Sequence, residues 1–374
     1  MNIPFVDLKA QYQSIKKEID EAIQNVIDET AFIKGKYVQK FEEEYAEVYG
    51  VKHAVSCANG TDAIYITLKA LGIGLGDEVI TTALSWISTS ETISQTGANV
   101  VFVDIDPDYY TIDASKIEEK ITEKTKAIIP VHLYGHPANM TEVMAIAKKH
   151  NLEVIEDCAQ STGAQYRGHR IGTFGQVNAF SLQFQKVITA GEGGVVTTND
   201  DALLDRARRC HDHGLNRWDA GEPEDAFCSE VYRMSDMAGA FALAQIRKLD
   251  DCLGRMRAGN ERIREAVADL DGLELRSLVD HAGATGQTVM FYTPTVELAD
   301  RWLAALSAEG VGGFKLYGGQ LVLENPQIMN QRMPSEHGPF DSPLYPEPIV
   351  YRREDYPQST DLLGRSVWLM VSPL

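Results

Sequence analysis

Isoleucines at positions 15, 19, 23 and 27 recur every fourth residue, a spacing that predicts an amphipathic helix over Ser14–Ile27. A turn around Lys34–Lys36 follows. A second helix is then expected over Tyr37–Tyr49, with Val38, Phe41 and Tyr45 on one face and Gly50 as its C-cap. Beyond it, short apolar runs alternate with helical periods. Strands are expected at His53–Cys57, Glu78–Thr82, Val100–Asp104, Ala127–His132 and Leu152–Asp157. The intervening helices are expected at Ala63–Leu71, Ser88–Thr96, Ser115–Ile121 and Met140–His150. Repeated strand–helix units with apolar strands predict an α/β fold whose mainly parallel sheet is covered by helices on both faces. Ligands of such sheets gather at the carboxyl ends of strands. After a strand at Val195–Thr198, helices are expected at Asp201–Arg209 and over a long run, Met237–Leu270, whose apolar part bridges to a second domain. Strand-like residues Thr288–Pro294, a helix at Leu298–Glu309 and a Pro/Gly-rich stretch from Gly312 to Pro348 complete the chain.

Composition narrows the class. The 374 residues suit two domains, and a net charge of -19 argues against a nucleic-acid footprint or an anionic membrane surface. Five scattered cysteines, never spaced Cys-x-x-Cys, indicate neither a disulfide framework nor a zinc site, and no metal is expected. No signal-peptide core and no apolar run of membrane-spanning length is present, so a cytoplasmic location is expected.

The chemistry concentrates at strand ends. Ser181–Gly194 opens on a hydroxyl, carries Lys186 as its one basic residue, and closes on glycines around Glu192. Desolvation of a lysine there would free its amine to attack a carbonyl; the plainer reading is a hairpin with a solvated lysine. Gly60-Thr61-Asp62 lies where a strand turns into a helix, an anion site or an ordinary N-cap. Asp157 ends an apolar strand and could hold a protonated heterocyclic nitrogen, while strand alternation turns Glu156 to the opposite face. Trp86 follows another strand end and could stack on a flat ring or merely pack in the core. His132 ends a further strand, as a substrate contact or as a hydrogen-bonded structural residue. Taken together, an anion cradle, a stacking aromatic, a carboxylate, a phosphate-binding hydroxyl (Ser181) and an imine-forming amine suit pyridoxal 5'-phosphate.

With these residues in place the chain resembles the DegT–DnrJ–StrS sugar aminotransferases, which are fold-type I pyridoxal-phosphate enzymes. The resemblance runs from about Ile3 to Leu253. It is carried by Ile33-x-Gly35, Asn59-Gly60-Thr61-Asp62-Ala63, Gly76-Asp77-Glu78-Val79, Pro130–Gly135, Glu156–Gln160 and Gly191–Gly194. It implies a large α/β/α domain with a mainly parallel mixed sheet (residues 13–245) and a smaller α/β domain (246–374), with residues 1–12 packing near the latter. Lys186 would form the internal aldimine and Asp157 would partner the pyridine nitrogen. Gln160 would contact the ring hydroxyl, Trp86 would stack on the ring, and Gly60, Thr61 and Ser181 would hold the phosphate. The family implies a homodimer with an interface active site. L-glutamate or glutamine would donate the amino group and a keto-sugar, nucleotide-linked, would receive it. A free keto-cyclitol of the scyllo-inosose type, or a non-catalytic sensor on the same fold, are the alternatives. A dehydratase branch places histidine at the lysine position, and Lys186 argues against it.

Three departures stand out. Val231-Tyr232-Arg233-Met234 replaces the family's Asn-Tyr-Arg-Met, whose asparagine reaches the neighbouring subunit's phosphate. Gly312–Tyr317 stands where a histidine–tyrosine signature is usual, so substrate recognition is expected to differ, with Lys315 and Tyr317 as candidate contacts. Arg352 and Arg353 are further candidates against a reading as plain surface charge. The sequence also stops at Leu374, where the family continues into a final helix, as a truncated chain would.

Overall fold

The computed structural model describes residues 7–215, 226–333 and 338–373. Among the described residues nine strands precede helix Asp236–Ile246: β1 (His53–Cys57), β2 (Glu78–Thr82), β3 (Asn99–Val103), β4 (Thr125–Ile129), β5 (Glu153–Val154), β6 (Gln165–Tyr166), β7 (His169–Arg170), β8 (Val177–Ser181) and β9 (Gly194–Thr198). Strands β3, β2, β4 and β5 pair in that order and all run parallel. Strands β1, β9 and β8 form a second group of antiparallel pairs. Asp157 joins the groups, bridging in parallel to Val131 on one side and Ala179 on the other. The result is a mixed, mainly parallel sheet in which β9 runs against its neighbours.

Alternation along the strands builds two cores, one on each face. Val55, Val79, Ile129 and Val196 pack on one side. Their chain neighbours Ala54, Ile80, Ile128 and Val195 pack on the other. The first face is covered by helices Gly60–Ala70 and Ile87–Gln95, the second by Lys36–Tyr49 and Met140–His150. Asp236 fixes the start of Lys36–Tyr49 by accepting from the amides of Tyr37 and Val38 at 3.1 and 3.2 Å. The first helix, Leu8–Glu29, runs without a break through residue 13 and buries Ile15 and Ile19 against Ala244 of the helix Asp236–Ile246.

A second, antiparallel sheet follows: β10 (Glu274–Leu275), β11 (Thr288–Tyr292), β12 (Gly313–Phe314) and β13 (Ser366–Met370), in the order β10-β11-β13-β12. Its outer face carries helix Val296–Ala308 through Phe291, Ala299 and Val367. Its inner face, with the fully buried Trp368, joins the main core.

Several expected elements come out differently. Ser115–Ile121 forms two single 3-10 turns, Ala114–Lys116 and Glu118–Lys120; so short a segment cannot offset the cost of helix nucleation. Met237–Leu270 is two helices, Asp236–Ile246 and Leu249–Ala268. They part at Arg247–Lys248, where a helix buried almost all round gives way to an amphipathic one. The strand expected over Ala127–His132 ends at Ile129, because Pro130 has no N–H for the ladder. Beyond it only single bridges continue.

Candidate active site

A cavity of about 800 Å³ opens where the parallel strands end and the second sheet approaches. Gly60, Thr61, Trp86, Asp157, Gln160, Ser181, Lys186, Lys315 and Tyr317 all line it. They arrive from five separate segments of the chain (60–61, 86, 157–160, 181–186 and 315–317), which the topology brings together.

Lys186 sits in the 182–193 connection between β8 and β9. This is not a tight hairpin turn. The loop is pinned at its base, where the Ala190 amide and the Thr189 hydroxyl both donate to Leu182 O at 2.9 Å, and Val187 and Ile188 are buried anchors. The lysine itself is half-buried and faces the cavity. Burial pushes its amine below the usual range, opposed by the charges of Asp157 and Glu192. A neutral, nucleophilic amine is thereby favoured.

Asp157 is held by two donors. The Thr89 hydroxyl donates to Oδ2 at 2.8 Å and the Ala159 amide to Oδ1 at 3.1 Å. Ser85 hydrogen-bonds Thr89 at 2.7 Å and fixes it in turn. Burial pushes the Asp157 carboxyl up, against the pull of Thr89, Ala159 and the Lys186 charge. A cationic partner in the cavity would favour its ionised form.

The third component is an anion cradle at the start of helix Gly60–Ala70. Asn59 caps the helix through Asp62 N at 2.9 Å, and Ala63 N donates to Asn59 O. The amides of Gly60 and Thr61, the first two of the helix, are left facing the cavity. A Cβ on Gly60 would meet Ser181 Cβ at 2.5 Å, so glycine is what lets this helix end reach β8. Ser181 Oγ accepts from Gln183 N at 3.3 Å and keeps its own proton to donate. Thr61 Oγ1 lies 2.7 Å from Ser88 Oγ. Burial raises Asp62 to about 6, countered by its bond from Asn59. Donors without matching acceptors fit a phosphate monoester.

Trp86 precedes helix Ile87–Gln95 and stands at the rim, 59% exposed, with its ring 6.2 Å from that of Tyr317. Its face is open for a planar group. Tyr317 adopts φ 49° and donates its hydroxyl to Gln160 Oε1 at 3.0 Å. That bond leaves the Gln160 amide NH2 as the free end of the side chain. Lys315 lines the cavity but pairs with Asp300 at 2.5 Å.

His132 is a correction. It is fully buried and does not line the cavity. Nδ1 accepts from Ala138 N at 3.0 Å, so Nε2 carries the proton and donates to Glu156 at 3.0 Å. Both ring nitrogens are committed, which excludes a substrate contact. Glu156, turned away from Asp157 as alternation requires, also accepts from the amides of Gly172, Phe174 and Gly175 at 2.7–2.8 Å. These bonds account for the His132–Glu156–Cys158 cluster, whose potential ligand atoms lie within 4.8 Å of one another. Arg353 pairs with Glu324 at 2.7 Å, Arg352 is exposed, and neither lines the cavity. Thr89, which orients Asp157, was not singled out in the sequence, and Asn59 was noted there only as part of a motif, without its capping role. The hydroxyl run Ser88-Thr89-Ser90, one turn after Trp86, is the signal that could have revealed Thr89.

This fold and cavity are those of a fold-type I α/β protein with an amine, a carboxylate and an anion cradle at one sheet edge. The chain belongs to the DegT/DnrJ/EryC1/StrS aminotransferase family, whose model matches residues 13–338. It is 47% identical over 215 residues to a pleiotropic regulatory protein of Geobacillus stearothermophilus, covering 57% of this chain and 58% of that one. It is 42% identical over 250 residues to GDP-perosamine synthase of Escherichia coli O157:H7, covering 66% and 65%. Less than two thirds of either relative's length is thus matched. A dTDP-3-amino-3,4,6-trideoxy-alpha-D-glucose transaminase of Streptomyces venezuelae is 36% identical over 310 residues, covering 83% and 80%. Among solved structures, S. venezuelae DesV in complex with a ketimine intermediate superposes with a TM-score of 0.87 at 31% identity, covering 100% of this chain and 94% of that one. Among the described residues no helix is long and apolar enough to cross a membrane, and all five cysteines are free.

Proposed function

We propose that this protein is a pyridoxal-phosphate-dependent aminotransferase that moves an amino group from L-glutamate or glutamine to a nucleotide-linked keto-sugar. The observation that carries the reading is the convergence of Lys186, Asp157 and the Gly60–Thr61–Ser181 cradle on one cavity. The relatives that act on GDP-, UDP- and dTDP-sugars support the substrate class. Bound pyridoxal phosphate would supply an electron sink for the carbanion formed at the amino donor's Cα.

The chain's own residues divide the rest of the work. Gly60 N, Thr61 N and Ser181 Oγ would hold the phosphate. Trp86 would cover one ring face, and the Gln160 amide NH2 would meet the ring hydroxyl. Asp157, oriented by Thr89, would pair with the ring nitrogen and favour its protonated form. Lys186 would hold the cofactor through Nζ and, as a free amine, would take the proton from the amino donor's Cα as general base and return it as general acid. Lys315 and Tyr317 stand on the side from which the sugar enters.

The active unit is a homodimer in the cytoplasm, with the site completed at the subunit interface. The single chain leaves Phe32, Ile33, Trp86, Phe184 and Val231 exposed, an apolar surface that a second copy would cover. Val231 has no polar atom to offer the partner's phosphate, so the anchoring rests on the cradle of each chain.

The test is spectroscopic. The purified protein with pyridoxal phosphate should develop the visible band of a lysine-bound cofactor, lose it with L-glutamate and regain it with a nucleotide keto-sugar. A protein that never takes on colour overturns the cofactor assignment; recovery with a keto-cyclitol alone reassigns the acceptor. A second reading, a regulator on the same fold, is favoured by the similarity to the Geobacillus regulatory protein. It predicts bound cofactor without turnover.

A further inference from the structure

A second cavity, of about 420 Å³, lies behind the first at the seam between the two sheets. Its wall is basic in a chain of net charge -19. Arg257 and Arg264 come from one face of helix Leu249–Ala268, Arg276 follows β10, and His136 comes from the loop after β4. None of the three arginines forms an ion pair among the described residues, although each sits in or beside the protein interior. Arg276 is 3% exposed and bonds only to carbonyls, those of Tyr109 and Leu133. Arg264 reaches the Arg276 carbonyl at 3.5 Å.

The acids nearby are otherwise engaged. Glu261, on the cavity wall, pairs with His281 at 3.2 Å. Asp250 pairs with Arg170 at 2.6 Å, and Asp280 accepts from the amides of Arg167 and Gly283 at 2.6 and 2.9 Å.

Two buried donors point into this space with nothing to receive them. Arg257 uses Nε on Ala284 O at 2.8 Å, and its Nη2 is buried without a partner. His136 is 1% exposed; Nε2 accepts from Val279 N at 3.1 Å, which places the proton on Nδ1, and Nδ1 has no acceptor. An orphaned buried donor costs the protein free energy unless a ligand supplies an acceptor. Burial, together with Arg264, lowers the Arg276 guanidinium to about 9, and burial holds the His136 imidazole well below its usual range.

We propose that this cavity is a ligand site distinct from the catalytic one and takes a small dianion, a phosphoryl group or a dicarboxylate. Guanidinium forks at Arg257 and Arg264 grip its oxygens and the His136 Nδ1–H donates a further bond. The position gives occupancy a route to the active site. His136 follows Gly135, whose amide donates to Gln160 O and Ser161 Oγ at 2.9 Å, and Tyr134 lines both cavities.

The test is calorimetric titration of the full chain, saturated with pyridoxal phosphate, with inorganic phosphate and separately with succinate. One equivalent per chain of one probe should bind, and which probe binds tells phosphoryl from dicarboxylate. Arg264→Gln and Arg257→Gln should each weaken that binding at least tenfold, while Ser181→Ala, which alters only the catalytic cradle, should leave it unchanged. Arg264→Gln keeps the test decisive should Arg257→Gln fail to fold. Absence of saturable binding by either probe, equal binding in the arginine variants, or loss in Ser181→Ala would overturn the proposal.

Discussion

Glu156 and Asp157 are adjacent in the extended segment just after β5 and have opposite fates. Glu156 points beneath the sheet and accepts from three amides and the His132 imidazole. Asp157 points above it, is held by one hydroxyl and one amide, and looks into a cavity shared with Lys186. Both are buried carboxylates. The lower one has every lone pair spoken for and fastens a loop; the upper one is desolvated with capacity to spare. Burial alone therefore does not distinguish architecture from chemistry. What distinguishes them is whether the hydrogen-bond account of a buried charge is closed by the protein or left for a ligand.

Four substitutions would break or sharpen this contrast. The largest effect belongs to Lys186→Ala: amino transfer should fall by about 10³-fold or more, with loss of the visible cofactor band, and a stopped assay with L-glutamate reads it. Asp157→Asn should lower turnover by about 10²-fold while leaving the melting temperature of the cofactor-free protein unchanged or raised, because a desolvated charge is removed. Glu156→Gln should do the reverse. An NH2 now faces donors, so stability should drop by about 2–3 kcal/mol in urea unfolding, with turnover largely kept below the transition. A Glu156→Gln protein of unchanged stability would erase the distinction.

The smallest effect is a pH dependence. Burial lowers the Lys186 pKa in the folded, cofactor-free protein, so the unfolded chain binds the proton more tightly. The penalty is present in full below the folded value and vanishes as pH rises to the unfolded value near 10.4. Lys186→Met should therefore melt higher than the parent at neutral pH, and the gap should close towards pH 10. Scanning calorimetry at several pH values checks the sign.

Much of this site is legible in the sequence. A lone lysine among uncharged neighbours, a carboxylate closing an apolar strand and a glycine opening a helix are local patterns, and parallel topology gathers strand ends without further instruction. His132 was misplaced because its nearness to a strand end was read without its face: alternation keeps Ile129, Val131 and Leu133 on one side and turns His132 to the other, onto Glu156 and away from the cavity. Thr89 escaped because its role is to a residue 68 positions away. The break at Arg247–Lys248 is likewise tertiary: each half satisfies a helical pattern, and only packing on different partners separates them. The second cavity left no linear trace at all, being assembled from helix Leu249–Ala268, the residue after β10 and the loop after β4.

Gly194, the first residue of β9, passes so close beneath Asn59 that a methyl group there would sit 2.1 Å from the Asn59 carbonyl oxygen. The backbone of one strand is thus the floor on which the mouth of the neighbouring helix rests. An alanine at 194, which meets no ligand atom, would tilt the two amides at that mouth out of aim, so the grip on a phosphate is decided partly by a residue whose only contribution is its lack of bulk.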